Sequence, residues 1–169
     1  MEPVILFKAA FIGIFAICAL TDFWLLRIPN VLVIVLILLF AGAAWYWADR
    51  IVLWQHLATG AAVFALGTVL FVLRQFGGGD VKLLTAAALW TGYAGLPVFV
   101  LSLGIAGLIL LVLYQYGRSS MMAVAEYIEH ASGGRLPTPR SLTVATHLPY
   151  GIVIAAAAIA ASRDIPILQ

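Results

Sequence analysis

Two of the seven acidic residues in this 169-residue chain lie where chemistry is expected. Asp22 closes one long apolar stretch and Asp80 opens another, and ionisable residues at such places in a membrane protein need a functional or structural reason. Two carboxylates that meet cannot both ionise easily, so the pair shares a proton. The ionised member then takes a proton from water while the protonated member polarises a carbonyl oxygen. The pair therefore predicts hydrolysis that needs neither a metal nor a cofactor.

Each aspartate also has an ordinary structural interpretation. Asp22 is equally consistent with a helix-end residue paired with Arg27, and Asp80 with the N-cap of the next helix. Capping and catalysis are compatible, so the pair is more informative than either residue. The other five acids have bland explanations as terminal, turn or solvated helix residues: Glu2, Asp49, Glu126, Glu129 and Asp164.

A run of three glycines, Gly77, Gly78 and Gly79, precedes Asp80. Because glycine has no Cβ, such a run turns sharply and lets another backbone approach closely. A peptide substrate lying alongside as an extended strand would use the exposed backbone.

The composition indicates the class of protein that carries these residues. Apolar residues make up 64% of the chain and charged residues 9%, whereas soluble domains are about half apolar and about a quarter charged. This balance excludes a cytosolic globule, a disordered tail and a nucleic-acid-binding domain. The net charge of +2 suggests no polyanionic partner, and one cysteine, Cys18, excludes a disulfide framework and a CxxC zinc site. An integral membrane protein in the lipid bilayer remains.

Uncharged stretches long enough to cross a bilayer predict an all-α bundle of about six transmembrane helices in a single domain covering 1–169. The stretch 83–117 is too long for one span, and Gly92, Gly95 and Pro97 indicate where it breaks. The alternative that the first span is a signal peptide lacks a basic start and a cleavage site. The spans are expected near 3–21, 31–48, 52–73, 82–93, 96–116 and 148–161.

Basic residues in the connections predict the orientation. Six lie on one side of the predicted membrane: Arg27, Arg74, Lys82, Arg118, Arg135 and Arg140. Two lie on the other: Arg50 and Arg163. We therefore expect the N-terminus outside, both aspartates at the cytoplasmic boundary, and a cytoplasmic loop over 117–147 that contains a short interfacial helix ended by Gly133 and Gly134.

These motifs resemble the type IV prepilin peptidase family, which are aspartic endopeptidases of the cytoplasmic membrane. In that family one aspartate follows the first span ahead of a basic residue and Ile-Pro-Asn, and the second closes a GxGD motif. The matching residues here are Asp22 with 27–30, 77–80 with 81–84 and 89–92, and Pro-Tyr-Gly at 149–151. The resemblance implies a multi-pass inner-membrane protease whose cytoplasm-facing Asp22 and Asp80 remove the leader of a prepilin or pseudopilin, with pilus-assembly or secretion components as possible partners.

Larger members of that family carry paired CxxC motifs in a domain associated with N-methylation, and this chain has only Cys18. The resemblance is therefore to the short branch that serves Flp-type (tight adherence) pili, and we expect no methyltransferase activity. Archaeal preflagellin peptidases share the GxGD motif and stay open as an alternative.

The remaining motif residues are given supporting roles. Lys82 or Arg27 would favour an ionised aspartate or hold a substrate carboxylate, although positive-inside anchoring explains both equally well. Pro29 belongs to the motif, and Asn30 is interpreted as a cap of the second helix. His56 and His147 are interpreted as helix-polar and loop residues rather than ligands. Five tryptophans near the predicted span ends are expected to form an interfacial belt: Trp24, Trp45, Trp47, Trp54 and Trp90.

Two other classes of function fit the same residues. A small proton- or cation-coupled transporter would use Asp22 and Asp80 as ion sites, although such sites usually lie near the middle of the membrane. A non-catalytic membrane subunit of a secretion assembly would tolerate Asn at both positions.

Overall fold

A computed structural model describes residues 3–144, 148–165 and 168, and the described part is helical without strands. The helices are α1 (Pro3–Leu25), α2 (Asn30–Tyr46), α3 (Leu53–Val72), α4 (Gly78–Ala131), α5 (Arg140–Thr143) and α6 (Tyr150–Ala161). Within that part, α1, α3 and α4 are long and apolar enough to cross a bilayer, while α2 and α6 are shorter apolar helices. The all-α, multi-pass membrane architecture is therefore confirmed.

Helix α4 changes direction at Gly92, inside the segment where the sequence predicts a break. Gly92 has φ 59° and ψ −169°, a conformation that glycine adopts far more readily than other residues. A Cβ there would lie 2.7 Å from the His56 ring. The His56 Nδ1 lies 2.8 Å from the Leu89 carbonyl oxygen, so Nδ1 carries the proton and donates to a carbonyl in the last turn before the break. This contact agrees with the prediction that His56 is a polar helix residue rather than a ligand. His147 lies outside the described residues.

The two halves of α4 pack on different neighbours. Before the break, α4 lies antiparallel to α3, and a Cβ on Gly67 would approach Val81 to 2.9 Å. After the break, Gly95 lies near the Asp164 carbonyl and Gly107 near Val153, so this half lies antiparallel to α6. The second half therefore returns toward the end of the bundle where α4 begins.

The first half of α4 is the buried centre of the bundle. Trp90 is fully buried, its ring contacts Phe11 and Phe40 at centroid distances of 5.0 and 5.6 Å, and its Nε1 donates to the Leu36 carbonyl at 3.0 Å. Trp47 is buried as well. The prediction of an interfacial belt is wrong for these two tryptophans. The reversal at Gly92 places Trp90 inside the bundle, and the Trp47 ring, at the end of α2, packs against Phe7 at a centroid distance of 5.1 Å.

Residues 117–131 differ most from the sequence-based expectation. The sequence predicts a span that ends at 116 and a separate short helix that Gly133 and Gly134 end. In the structure the two are one helix, α4, which continues to Ala131, and Gly133 and Gly134 follow it with positive φ. At about 1.5 Å per residue, 93–131 measures about 58 Å, well beyond a hydrocarbon core of about 30 Å. The segment after α4 folds back along it: Glu129 accepts hydrogen bonds from Thr138, and Arg118 donates to the Leu142 carbonyl at 2.7 and 3.0 Å. Residues 145–147 of the expected loop lie outside the described residues.

Candidate active site

Asp22 lies in the last turn of α1 and is only 5% exposed. Its Oδ2 accepts a hydrogen bond of 2.7 Å from the backbone N–H of Gly151, in the first turn of α6. The amino end of a helix favours negative charge and offers unpaired N–H groups. The described hydrogen bond of Asp22 is thus to α6, and not to Arg27 as one interpretation of the sequence had it.

Gly151 leaves no room for a side chain beside Asp22. A Cβ on Gly151 would lie 2.8 Å from both the Cβ and the Oδ2 of Asp22. The sequence analysis noted Pro-Tyr-Gly at 149–151 only as part of a resemblance and gave Gly151 no role. The available signal was a glycine in the first turn of a helix, where close approach of another chain segment is one reason for it.

Asp80 lies in the first turn of α4, where its Oδ2 accepts a hydrogen bond of 3.1 Å from the backbone N–H of Gly77. Gly77 is the N-cap residue and Asp80 the third residue of the helix, so the sequence-based N-cap interpretation of Asp80 is displaced by three positions. Its carboxylate still supplies the helix-end interaction that was expected, because it reaches back to an N–H group at the N-cap.

The three glycines before Asp80 are not equivalent. A Cβ on Gly77 would lie 2.9 Å from the Asp80 Oδ2, and one on Gly79 would lie 3.3 Å from the Cβ of Ile28. A Cβ on Gly78 would meet only the Phe71 ring at 3.5 Å, an ordinary contact. The two positions with the closer approach are therefore the two that the GxGD motif specifies.

Asp22 and Asp80 line the same cleft, of about 860 Å³, which we call the main cleft. The ends of α1, α3, α4 and α6 converge there. A side cleft of about 540 Å³ shares both aspartates with it. The side cleft is also lined by most of the motif residues singled out in the sequence: Arg27, Pro29, Asn30, Gly77, Gly78 and Gly79.

Lys82 does not line either cleft. Its Nζ donates a hydrogen bond of 3.0 Å to the Oδ1 of Asn30, which ties α4 to the first residue of α2. The expectation that Asn30 caps α2 is wrong: Pro29 occupies the N-cap position and no side-chain cap bond forms. Arg27 is exposed.

The main cleft also contains residues to which the sequence analysis assigned no role in the site. Arg74 and Gln75 supply polar groups, and the rings of Phe76 and Tyr150 meet edge to face at 5.4 Å. Arg74, at φ 59°, and Leu26, at φ 50°, adopt the left-handed conformation although neither is glycine. Single-sequence patterns give no signal for such backbone angles, because they follow from how each helix ends against its neighbours.

Two buried hydroxyls meet where α5 packs on α4. The hydroxyl of Tyr114, in α4, lies within interaction range of the hydroxyl of Ser141, in α5.

No group of three or more histidine, cysteine, aspartate or glutamate side chains in the described ranges is placed to hold a metal ion. The polar side chains that line the main cleft are two carboxylates, one guanidinium, one amide and the phenol of Tyr150, beside the backbone N–H groups already described. Such a set can activate water and stabilise a tetrahedral intermediate by acid–base exchange.

Comparison with known proteins adds one finding. Residues 9–112 match the family described as the type IV leader peptidase family. The match covers more than half of the chain and includes Asp22 and 77–80, while 149–151 lie beyond it. Neither the curated proteins nor the solved structures contain a match to the chain.

Proposed function

Because the chain belongs to the type IV leader peptidase family, we propose that it is an aspartic endopeptidase that removes the leader of prepilin-type substrates between Asp22 and Asp80. The observation that carries this proposal is that two carboxylates from separate helices line one cleft. Both lie at helix ends, Asp22 in the last turn of α1 and Asp80 in the first turn of α4.

The reaction requires one ionised and one protonated carboxylate. The ionised aspartate takes a proton from water as the water oxygen attacks the scissile carbonyl carbon, while the protonated aspartate donates a hydrogen bond to the carbonyl oxygen. The carbon–nitrogen bond then breaks, and a proton passes to the leaving amine. The two aspartates exchange roles through the cycle and return to their starting state.

The backbone contacts of the two carboxylates support this chemistry. Gly151 N–H holds the Oδ2 of Asp22, and Gly77 N–H holds the Oδ2 of Asp80. Fixing one oxygen of each carboxylate restricts its rotation, which reduces the ordering needed to reach the reactive geometry.

The charge pattern supports the location of the site. Arg27 and Arg74 line the clefts at the same end of the bundle as both aspartates. Lys82 lies near the start of α4, and Arg118 lies in the second half of α4, which returns toward this end. This end therefore faces the cytoplasm under the positive-inside rule, with the N-terminus on the other side of the inner membrane. The substrate leader would reach the site from the cytoplasm.

The sequence supports a narrower proposal for the activity and the substrate. A single cysteine, Cys18, leaves no paired CxxC motif, so N-methylation of the new terminus is not part of the proposed activity. The short-branch pattern favours Flp-type prepilins or pseudopilins as substrates, with a pilus-assembly or secretion system as the destination.

Co-expression with a candidate prepilin tests the proposal. Wild type is expected to shorten the prepilin, and Asp22→Asn and Asp80→Asn are each expected to abolish the shorter band. Asp49→Asn, in the turn after α2, is the matched control and keeps full processing. Processing by both cleft variants would refute the acid pair, and proton movement across a proteoliposome membrane without cleavage would favour the transporter.

A further inference from the structure

Among the described residues, helix α3 leaves one long face exposed. It packs mainly on α4, through Gly60 against Leu89 and Gly67 against Val81. The remaining face is exposed and apolar. A groove of about 560 Å³ lies between this face and the second half of α4.

On the basis of the proposed function, we propose that this groove binds the transmembrane helix of the substrate while the preceding peptide bond lies between Asp22 and Asp80. We call it the α3–α4 groove. It is lined by α3 residues Trp54, Gln55, Ala58, Thr59, Ala62, Val63 and Leu66 and by α4 residues Tyr93, Leu96 and Val100.

The groove leads into the main cleft along α3. Ala58, Ala62 and Leu66 recur at the spacing of one helix face, and that row continues through Val69 to Val72. Val72 lines the main cleft. A helix lying on this row therefore reaches the two aspartates at its end without leaving the apolar surface.

The length of this face matches a membrane span. From Trp54 to Val72 the axial rise is about 27 Å at about 1.5 Å per residue, against about 30 Å for a hydrocarbon core. Trp54 and Tyr93 lie at the far end of the groove and are 67% and 73% exposed. Aromatic side chains of this kind mark membrane interfaces, so the groove lies toward the opposite interface. The exposed α3 row from Leu66 through Val69 to Val72 connects it to the main cleft.

Small residues on both walls favour a helix as the occupant. Ala58 and Ala62 are exposed on α3, and Gly104 continues the α4 row of Leu96 and Val100 with open space where its side chain would be. Helices associate in lipid by close van der Waals packing, for which small residues are preferred. Gln55 and Thr59 add polar groups near the Trp54 end of the groove, where the Thr59 hydroxyl donates to the Gln55 backbone carbonyl.

The position of the cleaved bond favours the substrate helix over other molecules that could occupy the α3–α4 groove. A bond cleaved just before a hydrophobic helix must enter the main cleft while the next residues stay in the hydrocarbon core. Only a helix that begins at the main cleft satisfies both conditions, and the α3–α4 groove supplies the adjoining surface. A lipid tail or a second copy of the chain could lie in the groove without reaching the main cleft.

Competition between two substrates tests this inference. One substrate is a full prepilin with its transmembrane helix, and the other is a soluble peptide that carries the leader and the scissile bond alone. Ala62→Phe fills the groove, and we expect about a tenfold fall in the anchored-to-soluble ratio of kcat/KM, which corresponds to about 1.4 kcal/mol. Ala16→Phe, on the exposed face of α1 outside the groove, is the matched control and keeps the wild-type ratio.

The outcomes separate this inference from the proposed function. If wild type cleaves neither substrate, the peptidase function fails. If wild type and Ala62→Phe cleave both substrates with the same ratio, the function stands and the groove assignment is overturned.

Photocrosslinking gives an independent result. A photoreactive residue at position 62 of an Asp80→Asn chain is expected to capture the transmembrane segment of the prepilin, and the same residue at position 16 is not. Capture of lipid alone, or of a second copy of the chain, at position 62 would overturn the inference.

Discussion

The Oδ2 atom of Asp22 lies 2.7 Å from the backbone nitrogen of Gly151, a residue 129 positions later in the chain. This contact joins the end of α1 to the start of α6. It also requires glycine, because a Cβ at position 151 would lie within 2.9 Å of three atoms of Asp22. The position of this carboxylate is therefore set by a residue with no side chain.

Substitution of Gly151 is expected to displace Asp22. In Gly151→Ala the new methyl group overlaps the carboxylate, which costs about 1–3 kcal/mol in strain or rearrangement. We expect prepilin cleavage to fall at least about tenfold. Gly13→Ala is the matched control, since a Cβ at Gly13 meets nothing within 4 Å. Equal cleavage by the two variants would show that the position of Asp22 does not depend on Gly151.

The glycine run before Asp80 gives a position-by-position prediction. Gly78→Ala is expected to keep near-normal cleavage, because its Cβ makes an ordinary contact with Phe71. Gly77→Ala and Gly79→Ala are expected to lower cleavage more than Gly78→Ala, because their Cβ atoms lie 2.9 Å from the Asp80 Oδ2 and 3.3 Å from the Ile28 Cβ. Initial rates on one prepilin measure all three. A uniform loss across the run would mean that flexibility rather than close approach is what this segment requires.

The reversal in α4 depends on Gly92 and its contact with His56. Gly92→Ala places a Cβ against the His56 ring and holds an L residue at φ 59° and ψ −169°, a backbone region that is essentially restricted to glycine and costs other residues about 1–3 kcal/mol. We expect a lower thermal unfolding midpoint in detergent. Adding His56→Ala should not restore it fully, because the backbone strain persists and the Leu89 carbonyl loses its donor. Full recovery of the unfolding midpoint in the double variant would show that the steric clash with the His56 ring accounts for the whole loss.

Arg74 carries strain that glycine would relieve. It ends α3 in a left-handed conformation, with Gln75 N–H closing the last turn on the Leu70 carbonyl at 2.9 Å. Arg74→Gly is expected to raise the free energy of unfolding by about 0.5–1 kcal/mol, while Arg74→Ala keeps the strain and gains nothing. Thermal unfolding of the two variants measures the difference. Equal midpoints would mean that the residue type at position 74 does not control the strain.

Some of these features could be predicted from the sequence and others could not. Asp22 and Asp80 were predictable because charge is rare in an apolar chain, and the break in α4 because Gly92, Gly95 and Pro97 interrupt a stretch too long for one span. The contact of Gly151 with Asp22 was not predictable, since a backbone N–H leaves no trace in residue type and its partner is distant in sequence.

Two predictions from the sequence were wrong because the path of α4 was not foreseen. Trp90 was expected at an interface because it lies near a span end, but the reversal at Gly92 puts that end in the core. The continuity of α4 up to Ala131 was not predicted, because the uncharged stretch that defined the span ends at Gly117, before Arg118. One glycine costs a helix only about 1 kcal/mol, and the contact of Arg118 with the Leu142 carbonyl stabilises the extension.

The central claim is that Asp22 and Asp80 act as one catalytic unit. Single-turnover cleavage of a prepilin in lipid by purified wild type, Asp22→Asn, Asp80→Asn and the double variant tests it most directly. Residues that act as a unit are strongly non-additive, so each single variant is expected to lose at least about 10³-fold in rate and the double variant no more than the worse single. Measurable cleavage by either single variant at near wild-type rate, or losses that multiply in the double variant, would contradict the account.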